Sequence, residues 1–429
     1  MKTVYDVAIV GGGPAGSIAG TLLAQAGRKI VLVEKEAFPR FRVGESMVPP
    51  SSTVLERIGV KAKIDAAGFL PKYGGEIGSA CGRRVKFLFR DGINPRWNVS
   101  YQIDRPTFDR ILLEHAQSAG CEIRQPLTVH RFEFSGNEVC LETGGGPVVA
   151  RYVIDASGRS SLIAHQFKLK QPIAELRKIA VFAYFRRAPE EEPMSMEELG
   201  FTRMIRSPEG WFWAIPMADG YCSLGIVLPV ELFRSLDMSP EAILDQWISR
   251  NPELQRFTTN GQRVTPVRVI NEFSYRVKSI ARDRWLLAGD AAGFIDPVFS
   301  SGLNIAIYSG EQAADTLIGT LATPERKRSL FRKYEKDIQH RLDVYLKLSL
   351  AWYTQEFIEV FLHPREMCRL VPAVNSVLSG NPPSRLTVKL RMLLFFSLIA
   401  VQRLTHRLVP QLTLLPAQSA PHLAGKASV

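Results

Sequence analysis

Gly11-Gly12-Gly13-Pro14-Ala15-Gly16 is a G-x-G-x-x-G set between a β-branched run, Val4 to Val10, and a stretch of helix-forming composition, Ser17 to Gln25. Glycines at these spacings permit a tight turn, a close approach of backbone to a pyrophosphate, and close helix-strand packing. The helix N-terminus that follows offers N–H groups to the anion. Gly11, Gly13, Ala15 and Gly16 are therefore candidate cofactor contacts. Glu34 ends a second strand-like run, Lys29 to Glu34, at the distance where an acidic residue takes ribose hydroxyls. A glycine-rich turn without a ligand is the bland alternative; strand, helix and Glu34 together decide for a dinucleotide. Two later segments, Tyr152 to Gly158 and Trp285 to Gly293, are strands ending in small-residue turns. Asp290 closes the second and is placed to bind a ribose or ribityl hydroxyl. The helix start at Ser300-Ser301-Gly302-Leu303 offers free N–H groups to an anion.

The elements that must position these residues follow from the pattern. The chain has 429 residues, 46% apolar and 22% charged, which excludes disorder, collagen-like repeats and coiled coil as main readings. It returns to its cofactor near residues 11, 34, 105 and 290, so a second domain is inserted between those returns. The expected organisation is an α/β fold with a Rossmann-like first part over 1–165 and an excursion near 73–100. An antiparallel-sheet substrate domain over 166–275, a return segment over 276–320 and a helical C-terminal region over 321–429 complete it. Cys81, Cys121, Cys140, Cys222 and Cys368 are scattered, so neither a disulfide framework nor a metal site is indicated. No secretory signal precedes Tyr5, and the apolar window Met392 to Val401 is far short of a bilayer span, so a cytoplasmic location is expected. After Glu366 there is no acidic residue, while Arg369, Arg385, Lys389, Arg391, Arg403, Arg407 and Lys426 supply more than half of the formal +12. That asymmetry reads as a solvated basic face or as a docking surface for an acidic partner or a membrane. No nucleic-acid motif accompanies it.

Taken together, the dinucleotide motif, Asp155-Ala156-Ser157-Gly158 and Gly289-Asp290 resemble the FAD-binding scheme of the para-hydroxybenzoate-hydroxylase fold. That superfamily includes aromatic hydroxylases, prenyl reductases and flavin-dependent halogenases. Arg105 in Asp104-Arg105-Pro106-Thr107-Phe108-Asp109 matches the stretch in which an arginine contacts the flavin nucleotide. Three segments are similar to those of the halogenases. Phe38-Pro39-Arg40-Phe41-Arg42-Val43-Gly44-Glu45-Ser46 is the first, and brings Arg42 and Ser46 into the flavin-contact set. Trp211-Phe212-Trp213-Ala214-Ile215-Pro216, a W-x-W-x-I-P, is the second. Asp296-Pro297-Val298-Phe299-Ser300-Ser301-Gly302 is the third, adding Pro297, Gly302 and Leu303 as flavin contacts and Ser301 with Gly302 as halide site.

The resemblance implies that reduced FAD takes O2 to a flavin hydroperoxide, which chloride or bromide attacks to give hypohalous acid. A lysine then holds or captures the oxidant beside an electron-rich aromatic, a phenol or a pyrrole, free or on an acyl-carrier protein. Lys72 matches that lysine by position and local pattern. Trp211 and Trp213 would wall a dry passage, although two tryptophans at spacing two on one strand also suit ordinary core. A separate NAD(P)H:flavin reductase would supply the reduced flavin, and the basic C-terminal region could dock an acidic carrier or touch a membrane. The segment Glu76 to Gly82 lacks the Trp-Gly of phenol-type halogenases, and Phe299 before Ser300 argues against free tryptophan as substrate. An FAD-dependent aromatic monooxygenase and a prenyl reductase of the same fold stay open as alternatives.

Overall fold

A computed structural model describes residues 3–188, 194–258, 260–381 and 386–414. Pro382, Pro383, Arg385, Lys426 and the Pro-containing end after Pro416 lie outside the described residues. The chain divides into two units: Met1–Phe69, Ser100–Leu176 and Phe273–Ser349 form one, and Leu70–Val99, Arg177–Glu272 and Leu350–Val429 the other. The helical region expected over 321–429 is therefore split, with the division falling inside the helix Lys327–Trp352. Both units mix helices and sheet, giving the α/β class expected.

The first unit is built on a mainly parallel sheet. Its strand order is Ala281–Arg282, Trp285–Leu287, Val148–Asp155, Val4–Val10, Ile30–Val33, Glu122–Arg124, with a hairpin of Val129–Ser135 and Glu138–Thr143 beside Val148–Asp155. Ile30 to Val33 are all buried, as a strand covered on both faces requires. The register aligns the strand ends: Val10 lies opposite both Val33 and Asp155, and Asp155 opposite Leu287. The turns after these four strands therefore open along one edge. That edge carries the Gly11 turn, Glu34, Ala156 and Asp290, which is where ligands bind in open parallel sheets.

Backbone contact pins these turns together. Gly11 adopts φ +106°, and a Cβ there would stand 2.3 Å from the Ala156 carbonyl oxygen. A Cβ on Gly16 would stand 1.9 Å from the Gly11 oxygen, and one on Gly310 would stand 2.3 Å from the Ala15 oxygen. The helix Pro14–Gln25 is thereby held directly against the helix Ser301–Ala322. Tyr334, on the next helix, donates to the Leu287 carbonyl at 2.6 Å and ties that helix to the sheet.

The second unit holds an antiparallel sheet in the order Gln262–Arg263, Lys178–Arg186, Tyr221–Pro229, Trp211–Pro216, Phe201–Arg206, Gly74–Ser79, Arg84–Leu88. Only the Gly74–Ser79 and Phe201–Arg206 pair is parallel among these. Alternation sorts the side chains by face. Val181, Ala183, Phe212, Ala214, Leu224 and Ile226 pack in one cluster with Ile243, Leu244 and Trp247 of the helix Pro240–Ser249. Phe182, Met204, Trp211 and Trp213 fall on the other face. Helices Gln355–Phe361, Leu370–Leu378 and Leu386–Thr405 also belong to this unit, the first and last joined by the edge-on ring contact of Phe357 with Phe395.

Replacing Gly310 with valine places methyl groups where the Ala15 backbone stands. Overpacking of this kind costs about 2 kcal/mol or more. A fall in the thermal midpoint, larger than for Gly144→Val in an open turn, is the expected outcome, read by differential scanning fluorimetry.

Candidate functional site

The helix Pro14–Gln25 starts at Gly13 without a side-chain cap, so its first N–H groups face the edge with no carboxylate or hydroxyl acceptor from the cap residue. Ser17 donates its hydroxyl to the Gly12 carbonyl, and Glu34 accepts from the Gly12 N–H at 2.7 Å and from the Glu36 N–H at 2.9 Å. Glu34 therefore locks the glycine turn to the second strand.

Arg105 begins the helix Arg105–Ser118, whose cap Asp104 accepts from the Thr107 N–H. Its Nε and Nη2 donate to the two oxygens of Asp109, at 2.9 and 3.0 Å, and Nη1 donates to the Val43 carbonyl at 2.6 Å. Three of the five guanidinium N–H groups are thus engaged, which leaves donors for an anion. Asp109 also accepts from Arg40 at 3.0 Å, and is fully buried between the two arginines. Sequence reasoning passed over Asp109 and Arg40; the signal was the i, i+4 pairing of Arg105 with Asp109 on one helix face. Arg42 turns the other way, to Glu36, with Nη2 2.5 Å from Oε1. Ser46 bridges Gln102 in a short antiparallel contact flanked by Met47 N–H to Tyr101 and Ile103 N–H to Glu45.

Asp155 ends its strand, Asp290 lies in the 3-10 turn that follows the neighbouring strand, and the two behave differently. Both oxygens of Asp155 accept from backbone, from Ser157 N–H at 3.0 Å and Ile163 N–H at 2.8 Å, so this carboxylate shapes its own turn. Burial pushes the Asp290 carboxyl up to about 6, against the opposing pull of Arg105, Arg159 and Lys170. Tyr275, also missed in the sequence, donates its hydroxyl to the Asp290 carbonyl at 2.6 Å, and Lys170 stands 3.9 Å from the centre of the Tyr275 ring.

A cavity of about 10 Å³ lies at Asp290, Phe294, Asp296, Ser301 and Gly302. Such a volume holds one water-sized body. Pro297 sits in a single 3-10 turn that Asp296 caps by accepting from Val298 N–H at 3.0 Å. Ser300 then takes the left-handed conformation, φ +52°, and gives the helix Ser301–Ala322 no side-chain cap. The first N–H groups of that helix, through Leu303, are consequently open to an anion.

In the second unit, Lys72 ends the strand Leu70–Lys72 and is 2% exposed. Its ammonium stands 5.3 Å from the Phe89 ring centre. Burial lowers its pKa to about 7. Trp211 and Trp213, 1% and 6% exposed, have ring centres 5.8 Å apart. Trp213 lies across Gly225 of the neighbouring strand, where a Cβ would stand 2.1 Å from its ring, and donates to Ser223 Oγ at 3.1 Å. Trp211 meets Trp352 edge-on and donates to the Tyr353 hydroxyl at 3.0 Å. Among the described residues no cluster of histidine, cysteine or acidic side chains could hold a metal ion. No helix among them is long and apolar enough to cross a membrane.

The FAD binding domain family matches residues 4–346. A 1H-pyrrole-2-carbonyl-(peptidyl-carrier protein) chlorinase of Pseudomonas fluorescens is 30% identical over 377 residues, 81% of this chain and 83% of that protein. The chain belongs to the flavin-dependent halogenases. Among solved structures, the flavin-dependent brominase Bmp2 is similar to this halogenase with a TM-score of 0.81 at 25% identity, covering 93% of this chain and all (100%) of that one. A flavoprotein/dehydrogenase of Cytophaga hutchinsonii reaches 0.84 at 25% identity, covering 94% and 100%. The halogenase is thus an FAD enzyme, set with the halogenases rather than with the monooxygenases or prenyl reductases of the same fold. Its residues fit the cofactor: the glycine edge leaves backbone close to any bound pyrophosphate, two helices present uncapped N-termini, and Arg105 keeps spare donors.

The raised pKa of Asp290 has a thermodynamic consequence in the chain without cofactor. The folded state binds this proton more tightly than the unfolded one, so ionisation costs stability fully above about pH 6 and not at all below about pH 4. A shift of this size corresponds to no more than about 3 kcal/mol. Asp290→Asn should therefore raise the thermal midpoint of the apoprotein at pH 8, with a gain that shrinks by pH 5.

Proposed function

We propose that this halogenase uses reduced FAD, O2 and chloride or bromide to halogenate an electron-rich aromatic, a phenol or pyrrole, with Lys72 as catalytic residue. The observation that carries the reading is Lys72 itself, a buried amine beside an aromatic ring with a pKa lowered to about 7. Bound reduced FAD supplies the electrons and the activated oxygen that turn halide into an electrophilic oxidant. The chain does the rest. Gly11, Gly13, Ala15 and Gly16 present the glycine turn to the pyrophosphate, while Glu34, Arg105 and Asp290 take nucleotide and ribityl groups. Arg42, Ser46, Pro297, Gly302 and Leu303 belong to the same contact set. The open N–H groups of Ser301 and Gly302, at a cavity of single-atom dimensions, suit a halide. Trp211 and Trp213 present apolar surface that an oxidant reactive toward water needs along its path. Above about pH 7 the Lys72 amine offers the lone pair that an electrophilic halogen requires.

The reduced flavin comes, in this reading, from a separate NAD(P)H:flavin reductase, since one dinucleotide motif is all the sequence contains. The likeness to a chlorinase whose named substrate is carrier-bound supports a substrate tethered to an acidic acyl-carrier protein. Its docking surface would be the helix Leu386–Thr405, where Arg403 and neighbouring Arg407 are exposed. The same helix exposes Leu386, Leu390, Leu393 and Leu404, which suits a peripheral lipid contact as a second reading. Co-sedimentation with anionic vesicles tests that alternative.

Mass spectrometry of products formed from phenols and pyrroles, free and carrier-bound, with reduced FAD, O2 and bromide, tests the reaction class. A bromine isotope doublet that vanishes in Lys72→Ala, with FAD content unchanged, is the expected result; oxygen added without bromine would move the chain to the monooxygenases. The rate of bromination should rise through about pH 7 and then level, because the neutral amine is the active form. Lys72→Arg, charged throughout, should stay inactive across that range. Arg403→Glu with Arg407→Glu should raise KM roughly tenfold for a carrier-bound substrate and leave a free one unchanged. Equal KM values would leave those arginines as solvated charges.

A further inference from the structure

We infer that the second unit carries an oxyanion-binding pocket built on Arg206, which takes a carboxylate or phosphate ester attached to an organic body. The pocket measures about 500 Å³ and is lined by Arg206, Pro208, Tyr353, Gln355, Leu412 and Leu414. Arg206 is 8% exposed. Its Nη1 donates to the carbonyls of Ser207 and Gly210, and its Nη2 to the Tyr353 carbonyl at 3.3 Å. Its Nε has no partner. All the acceptors are neutral, and among the described residues no carboxylate pairs with this guanidinium. Arg203, three residues away on the same strand and so on its opposite face, stands 4.0 Å from Glu76.

A buried cation without a counter-charge is costly, and single-partner removal from buried ion pairs shows the scale of the penalty. Other acidic groups nearby relieve it only in part. Glu209, in the following turn, attracts the guanidinium but forms no ion pair with it, and burial still lowers the arginine's pKa. Glu359, beyond Gln355, already accepts from Gln355, Gln402 and the Leu412 N–H. Lys178 adds positive charge at the Tyr353 ring, 4.3 Å from its centre. An oxyanion in the pocket would supply the counter-charge that this guanidinium lacks. Leu412, Leu414 and the Tyr353 ring then offer apolar surface to the body that carries it. Because Tyr353 also receives the Trp211 hydrogen bond, a ligand here leans on the residue that holds Trp211. Two sources share the required chemistry: the carboxylate of a free aromatic acid, and the phosphate of a carrier protein's prosthetic arm.

The test is calorimetric titration of the FAD-loaded enzyme with benzoate and with 4′-phosphopantetheine, benzamide serving as the neutral control. At least one anion should bind, with Arg206→Met weakening it more than tenfold and benzamide indifferent to the change. Benzoate binding alone assigns the pocket to a free acid; 4′-phosphopantetheine binding alone assigns it to the carrier arm. Thr413→Glu, at an exposed lining position, sets a negative charge in the pocket without touching the buried arginine. It should weaken the same anion by a similar factor with FAD content unchanged, which decides the matter even where Arg206→Met fails to fold. Absence of binding by both anions, or equal affinity in wild type and Thr413→Glu, overturns the inference.

Discussion

Everything in the first unit depends on three places where backbone touches backbone too closely for any side chain. Gly11 lies on the Ala156 carbonyl, Gly16 on the Gly11 carbonyl and Gly310 on the Ala15 carbonyl. Each contact joins a different pair of elements: first turn to central strand, helix to its own turn, and first helix to Ser301–Ala322. The three together fix one helix N-terminus relative to another with no flexible side chain between them. Rigid placement of that kind is what an edge site needs if its N–H groups are to stabilise charge without reorganising. The strand register then delivers Glu34 and Asp290 to the same edge.

The contacts of Gly11 and Gly16 were legible in the sequence because glycine spacing is a local signal, and so were the strands; Gly310 was not, because its partner Ala15 lies far away in the chain. Val4–Val10 and Ile30–Val33 fall where β-branched runs placed them, within a residue at each end, and Trp285–Leu287 opens the apolar segment read as strand and turn. The Arg40, Asp109 and Arg105 network was not legible, because Arg40 reaches Asp109 across 69 positions. Composition assigns each such charge to the surface by default. The same limit applies to Trp211, whose hydrogen-bond partner Tyr353 lies 142 positions away in a helical region with no diagnostic motif. Sequence spacing put both tryptophans on one strand face; only the fold shows that one leans on glycine and serine while the other leans on a tryptophan and a tyrosine.

Lys72 marks the boundary between these two kinds of information. Pattern located it, but no pattern reveals that a lysine is dry. Its burial is a tertiary property, and it is burial alone that brings its pKa from the ordinary lysine range to about 7. The chemistry assigned to it depends on that shift, since an amine with the usual pKa would be almost wholly protonated at neutral pH.

The second unit buries positive charge more than once, at Lys72, Arg203 and Arg206, on or beside a sheet whose interior is otherwise apolar and aromatic. Arg203 has a carboxylate within reach, so its burial is offset inside the fold. Lys72 and Arg206 are held under a different bargain: the first sheds its charge near neutrality, and the second has only carbonyl oxygens around it. Folding alone gives no reason to keep the Arg206 guanidinium, because an apolar residue of similar volume is usually tolerated at least as well in such a position. A buried guanidinium that the fold surrounds only with neutral hydrogen-bond acceptors is therefore explained by something the fold binds, an oxyanion.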